Sequence, residues 1–135
     1  IGFGNMGSSF AKRLQGFECN IISYDKYKSH YAPDYVEEVE LDELYRRADF
    51  LSLHIPATPQ TKGSIGYDLA MSMPKGATLV NTARKEVIDE AGLAKAMEER
   101  EDLRYITDVA PEAAAEYAEK FGKRYFEAYK SICKR

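Results

Sequence analysis

Ile1-Gly2-Phe3-Gly4-Asn5-Met6-Gly7 opens the chain, and the next apolar run closes with Asp25. No other feature limits the possible folds so tightly. Three glycines at this spacing suit a turn from a strand into a helix. Gly2 lets the backbone turn sharply, Gly4 removes a side chain where a ligand must come close, and Gly7 lets the helix pack near the sheet. Such a helix aims its free amide groups and the positive end of its dipole at one spot, which favours a phosphate. Asp25 lies close to the spacing of about 20 residues at which an acid receives ribose hydroxyls. Together they read as a dinucleotide-binding turn. An acid at that place repels a 2′-phosphate, which favours NAD over NADP. The plainer alternative is a glycine turn and a surface aspartate in some other α/β domain.

The rest of the chain supplies the context. Residues 8–14 continue as a helix with Phe10, Ala11 and Leu14 on one side, and Gly16 is placed to stop it. Cys19-Asn20-Ile21-Ile22-Ser23-Tyr24 reads as a buried strand. A polar, tyrosine-rich stretch leads to a short strand at 35–39, a helix at 41–48 with Leu41, Leu44 and Tyr45 inward, and a strong apolar strand at 49–54. Residues 55–63, with Pro56, Pro59 and Gly63, form a loop at a strand's carboxyl end, where ligands bind in open α/β sheets. A helix is expected over 67–73 and a strand over 77–81. Asp89 caps a helix running to about Glu99, with Leu93, Ala96 and Met97 inward. A strand follows at 103–109, then a helix at 112–121, a short strand at 124–128, and a tail at 129–135. Strands alternating with helices predict a doubly wound parallel sheet covered by helices, the Rossmann-like α/β architecture, in one NAD-binding domain over 1–128.

The fingerprint ordinarily follows a strand of about 5–6 residues. Only Ile1 stands before it here, so the expectation is a first strand truncated at its N-terminus and a domain that begins inside a larger protein. The 135 residues suffice for one core. The net charge of −3 argues against a nucleic-acid surface. No apolar run reaches the ~18 residues of a membrane span, and no signal peptide is visible. Cys19 and Cys133 lack metal-ligand spacing. Cys19 reads as a small core residue, and a reducing, cytoplasmic setting is expected.

Four segments in order carry a family resemblance: Gly2-Phe3-Gly4-Asn5-Met6-Gly7, Leu53-His54-Ile55-Pro56-Ala57-Thr58-Pro59-Gln60-Thr61, Leu79-Val80-Asn81-Thr82-Ala83-Arg84 and Ile106-Thr107-Asp108-Val109. Over residues 1 to about 126 the chain resembles the coenzyme-binding domain of the D-2-hydroxyacid dehydrogenases, nearest to their D-3-phosphoglycerate branch. The resemblance implies NAD as cofactor, oxidation of a small anionic 2-hydroxy acid to the 2-keto acid, and a two-domain protomer in a homodimer with its active site between domains. It implies that Arg84 binds the substrate carboxylate and polarises the reacting oxygen, a task suited to a guanidinium fork that stays charged. Asp108 would accept a hydrogen bond from the nicotinamide carboxamide. Asn5 and Met6 would line the pyrophosphate and nicotinamide side through backbone. Pro56, Thr61 and Thr82 would line the adenine, ribose or nicotinamide. Each also has an ordinary reading, as a surface arginine, a turn aspartate or loop residues.

The chain also departs from the family. Its usual proton carrier is a histidine after the last strand, paired with a glutamate shortly past the Asp108 position. No histidine follows His54. Ala113 stands at the glutamate's usual spacing, with Glu112 beside it and Glu116 one turn later, and Glu112 is the candidate. His54 reads as a structural histidine satisfied by backbone, His30 as a surface residue, and Lys123 and Lys130 as solvated. The substrate domain is absent from these residues, so the 135 residues alone are expected to lack useful dehydrogenase activity. Two further readings stay open: a non-catalytic NAD-binding module, and an NAD-sensing interaction protein on the same fold.

Overall fold

A computed structural model describes residues 1–128 of the chain. Its strands are all parallel. β1 (Ile22–Ser23) pairs with β2 (Glu37–Glu38). β3 (Phe50–Leu53), β4 (Thr78–Asn81), β5 (Arg104–Thr107) and β6 (Tyr125–Glu127) stand side by side in that order. Residues 1–3 stitch the two groups together. The Gly2 amide donates to the Tyr24 carbonyl at 2.8 Å, and the Ile1 carbonyl accepts from the His54 amide at 2.8 Å. The outcome is a two-stranded and a four-stranded parallel sheet, bridged by residues 1–3 and flanked by helices, in the order β2, β1, residues 1–3, β3, β4, β5, β6.

Among the described residues, five α-helices are interspersed with the strands: α1 (Asn5–Leu14), α2 (Leu41–Arg47), α3 (Tyr67–Ser72), α4 (Glu90–Glu99) and α5 (Ala114–Phe121). The core forms where they meet the sheet. Leu51, Leu53, Leu79 and Tyr105 come from strands, and Leu44, Leu69, Leu93, Met97 and Tyr117 from helices, all buried. α4 begins as its sequence requires: the Asp89 carboxylate accepts from the Gly92 amide, and Leu93, Ala96 and Met97 face the core. The short α3 ends against a cation from a distant element. Arg100 donates to the carbonyls of Ala70, Met71, Met73 and Pro74 and is held by Asp102 at 2.6 Å. Those are carbonyls that a helix end otherwise leaves to water.

Several expected boundaries move. α1 starts at Asn5, not at 8, because Gly4 serves as its N-cap and the first turn closes there, Ser8 amide to Gly4 carbonyl at 2.9 Å. Gly16 does not stop it. The chain goes on through a 3-10 turn (Gln15–Phe17) and reverses at Glu18, whose φ is +53°. The expected buried strand at 19–24 shrinks to Ile22–Ser23, because its ladder partner β2 is two residues long. Cys19 accordingly is exposed and not a core residue. The helix expected from 112 begins at Ala114, because the Glu90 carboxylate holds the Glu112 and Ala113 amides in the preceding turn. The strands expected at 35–39, 49–54, 77–81, 103–109 and 124–128 are each shorter at their ends, and the helices expected at 41–48 and 67–73 lose one residue. The tail at 129–135, with Lys130 and Cys133, lies outside the described residues.

Candidate functional site

The glycine fingerprint is shaped by contact with the end of β3. Gly2 has φ +88°, and a Cβ there would fall 2.3 Å from the His54 carbonyl oxygen. A Cβ on Gly7 would fall 2.1 Å from the Gly2 carbonyl oxygen and 3.4 Å from the His54 Cβ. A Cβ on Gly4 would meet nothing within 4 Å. Two glycines are therefore demanded by packing, and the one between them by open space beside the helix N-terminus. No side chain caps α1. Its first-turn amides lie exposed at that open face, as a diphosphate requires. The residues present fit the NAD pyrophosphate.

Asp25 follows β1 and reaches back to the same turn. Its Oδ2 accepts from the Phe3 amide at 2.9 Å and its Oδ1 from the Tyr27 amide at 2.9 Å. Lys28 Nζ donates to the Phe3 carbonyl at 2.6 Å. Partial burial pushes the Asp25 carboxyl upward. The hydrogen bonds from Phe3 and Tyr27, with the charges of Lys28 and the amino terminus, outweigh it and hold the carboxyl below its ordinary range. Asp25 is thus an anion with lone pairs left over. It lines a cleft of about 310 Å³ together with Glu38, Glu40, Glu43 and Lys28. Four carboxylates against one lysine make that cleft a poor place for a 2′-phosphate. Glu38 is held below its usual range chiefly by the Ala32 amide, with those of His30 and Tyr31. It thereby anchors the loop in which His30 sits exposed at φ +53°.

The remaining candidates line one edge of the sheet. Leu53, Asn81 and Thr107 are neighbours in register across β3, β4 and β5. The segments that follow them hold Pro56 and Thr61, then Thr82 and Arg84, then Asp108. All stand at the carboxyl edge, the same edge as the fingerprint. The 55–63 loop is braced by Thr61, whose hydroxyl donates to the Pro56 carbonyl at 2.6 Å and accepts from the Thr58 amide at 2.8 Å. Thr82, Arg84 and Asp108 are exposed at that edge. Arg84 donates to its neighbour Ala83's carbonyl at 3.1 Å and joins no ion pair among the described residues. Its guanidinium is available to a carboxylate.

His54 is half-buried beneath the fingerprint, its ring 5.2 Å from that of Phe10. Its side-chain partner is the Ser52 hydroxyl at 3.0 Å rather than backbone, which corrects the expectation while keeping the residue structural. Burial, then the nearby amino terminus, lowers its pKa. Glu112 is 82% exposed, with Lys85 Nζ 3.6 Å from its carboxylate. Lys123 is exposed, as expected.

Two supporting residues escaped the sequence reading. Asn81, buried, accepts from the Ala83 amide and donates to the Arg84 carbonyl, both at 3.0 Å, so it clamps the turn that presents Arg84. An asparagine closing an apolar strand before Thr-Ala-Arg was the available signal. Glu90 fixes the turn carrying Glu112 from another element, for which the sequence carries no signal.

Comparison with known proteins agrees with this geometry. Residues 1–125 match the family model for the D-isomer specific 2-hydroxyacid dehydrogenase NAD binding domain. A D-3-phosphoglycerate dehydrogenase of Methanocaldococcus jannaschii is 43% identical over 106 residues, covering 73% of this chain and 20% of that protein. A hydroxypyruvate reductase of Thermotoga maritima is 44% identical over 93 residues, covering 69% of this chain and 30% of the relative. The NAD+-bound 3-phosphoglycerate dehydrogenase of Entamoeba histolytica superposes with a TM-score of 0.86 at 40% identity, covering 94% of this chain and 40% of that one. The chain thus spans under a third of the length of these two curated relatives.

Proposed function

The chain belongs to the D-isomer-specific 2-hydroxyacid dehydrogenase family by its NAD-binding domain, and on that premise we propose that it holds NAD for hydride exchange with a small anionic 2-hydroxy acid, 3-phosphoglycerate. The observation that carries the reading is the fingerprint itself. Gly2 and Gly7 are walled by His54 and each other, while the space beside Gly4 and the first-turn amides of α1 is open.

When bound, NAD accepts the hydride. This chain's residues do the binding and orienting. The α1 amides hold the pyrophosphate, flanked by the backbone of Asn5 and Met6, and Asp25 accepts from the ribose hydroxyls. Pro56, Thr61 and Thr82 line the cofactor's flank. Asp108 takes the carboxamide and fixes which ring face meets substrate. Arg84 receives the substrate carboxylate and draws electron density from the reacting oxygen. Glu112 is the carboxylate that assists proton transfer in this reading. The phosphoglycerate assignment is supported by the names of the first relative and of the structural neighbour, and the hydroxypyruvate reductase stands beside them as a competitor.

The test is a fluorescence titration of the chain with NADH, followed by 2-hydroxy acids added to the complex. Saturable NADH binding is expected, with 3-phosphoglycerate altering the bound emission in the wild type and not in Arg84→Ala. An equal response to lactate or glyoxylate would overturn the choice of substrate. A second reading, cofactor binding without turnover by these 135 residues, is favoured by the exposure of Arg84 and Glu112 at an edge open to water. Sustained NADH production from any 2-hydroxy acid would refute it.

A further inference from the structure

The loop after β1 turns its backbone amides onto one carboxylate. His30 has φ +53°. A left-handed residue in a turn lets successive N–H groups converge, and the concavity they form is a nest for an anion. Here the nest is filled from β2. Glu38 Oε2 accepts from the His30 amide at 3.0 Å, and Oε1 accepts from the Tyr31 amide and from the Ala32 amide at 2.7 Å. Three consecutive N–H groups on one carboxylate are the same bonds that a phosphate takes from such a loop.

The filled nest lies beside the ribose acid. Tyr31 supplies the middle amide of the three. Its ring packs on Phe3 with centroids 5.1 Å apart, and its hydroxyl is 3.0 Å from that of Ser23 at the end of β1. Phe3 is the residue whose amide Asp25 holds. Asp25, Tyr31 and Glu38 line one cleft of about 310 Å³ together with Lys28 and Ser29. An ammonium and a hydroxyl are further groups suited to a phosphate. The loop thus carries the donors of a phosphate site, and the anion its amides hold is the protein's own.

On the reading that places the cofactor's ribose at Asp25, we propose that Glu38 is a specificity-determining residue. Its carboxylate occupies, as a built-in anion, the amide nest that would otherwise receive the 2′-phosphate of NADP, and so reserves the cleft for NAD. Asp25 works by repelling a phosphate and by accepting from the ribose hydroxyls. Glu38 works by using up the donors that would make a phosphate stable there. The two devices differ as charge differs from occupancy. A field summed over Asp25, Glu38, Glu40 and Glu43 weakens by a similar amount when any one of them is neutralised. A filled nest opens only when it is emptied.

Three variants separate these effects. Glu38→Ala empties the nest. Glu38→Gln keeps it filled with a neutral side chain. Glu40→Gln removes one charge from the cleft and leaves the nest alone. Fluorescence titrations with NADH and NADPH give the ratio of the two affinities. The ratio should move toward NADPH by about tenfold or more in Glu38→Ala and stay within about threefold of wild type in both glutamine variants. In Glu38→Ala, millimolar inorganic phosphate should also shift the amide NMR signals of His30, Tyr31 and Ala32 and slow their exchange, while chloride at equal ionic strength does neither. Wild type and Glu38→Gln should not respond. A loop loosened by loss of its brace leaves this readout intact, because phosphate then restores the protected amides. Wild-type protein that binds no NADH would overturn the cofactor reading beneath the proposal. NADH binding with the same ratio in Glu38→Ala as in Glu40→Gln would overturn the proposal alone, and so would a phosphate response no larger than that to chloride.

Discussion

Replacing Asp25 by asparagine separates the bracing of the turn, which its carboxylate performs, from the ribose binding proposed for it. The side chain keeps its shape, but only one of its two terminal atoms remains an acceptor. Phe3 and Tyr27 both donate to the carboxylate at 2.9 Å. Whichever way the amide turns, one of these N–H groups faces an NH2. One charge-assisted bond is lost and the other weakens to a neutral one, which costs about 2–3 kcal/mol. Phe3 lies between the first two glycines of the fingerprint, so the loss loosens the turn itself. NADH affinity should fall roughly 10–100-fold, about 1.4–2.8 kcal/mol, as the ribose loses an anionic acceptor. NADPH should fall much less or gain, because the variant removes a like charge from an acidic cleft. The assay is a pair of fluorescence titrations with NADH and NADPH on wild type and variant, beside thermal melts. The ratio of the two affinities is independent of how much protein is folded. An unchanged ratio would refute the assignment of Asp25 to the ribose, whatever the melt shows. The wild type also carries a pH signature. Its carboxyl sits below the usual 3.8, so its support for the turn is complete above that value and is lost as pH falls further, whereas the variant is flat there.

Gly7→Ala and Gly4→Ala should part company: the first drives a methyl to 2.1 Å from the Gly2 carbonyl and should lower stability by about 1–3 kcal/mol, seen in denaturant melts, while the second meets open space and should stay within about 1 kcal/mol of wild type. Calorimetry should nonetheless find NADH binding lost in both, since the Gly4 methyl occupies the phosphate's approach. Asn81→Ala leaves the Ala83 amide and the Arg84 carbonyl without their clamp and should cost about 2 kcal/mol, read by thermal unfolding against an unchanged Thr82→Ala. The Arg100 hydrogen bond, then the Gly76 amide, lowers the Asp102 carboxyl from 3.8 to about 2. Its contribution is therefore full above pH 3.8 and lost as pH falls through about 2. With Asp102 partly exposed, that is roughly 1 kcal/mol, and acid titrations of stability should be shallower in Asp102→Asn than in wild type.

What was legible in the sequence follows from how local its causes are. α4 was readable from end to end because Asp89, Leu93, Ala96 and Met97 act within one helix. The fingerprint was readable because glycine spacing records steric demands, although the wall that makes those demands, the His54 carbonyl, comes from another strand. Cys19 was misplaced because the length of β1 depends on its partner: the two-residue β2 leaves Cys19 and Asn20 outside the ladder. The start of α5 was misplaced for a similar reason, since the Glu90 carboxylate decides it from a distance. The same division runs through the candidate site. Arg84, Asp108 and Pro56 stand just past strand ends, and it was the family resemblance of the segments around them that singled them out. Asn81, Lys28 and Glu90, which hold the turns that present the site, act through bonds to backbone. Their identity is constrained by where a carbonyl or an amide happens to lie in three dimensions. Substitution at the first group should therefore alter binding with little change in stability, and at the second group should alter both together.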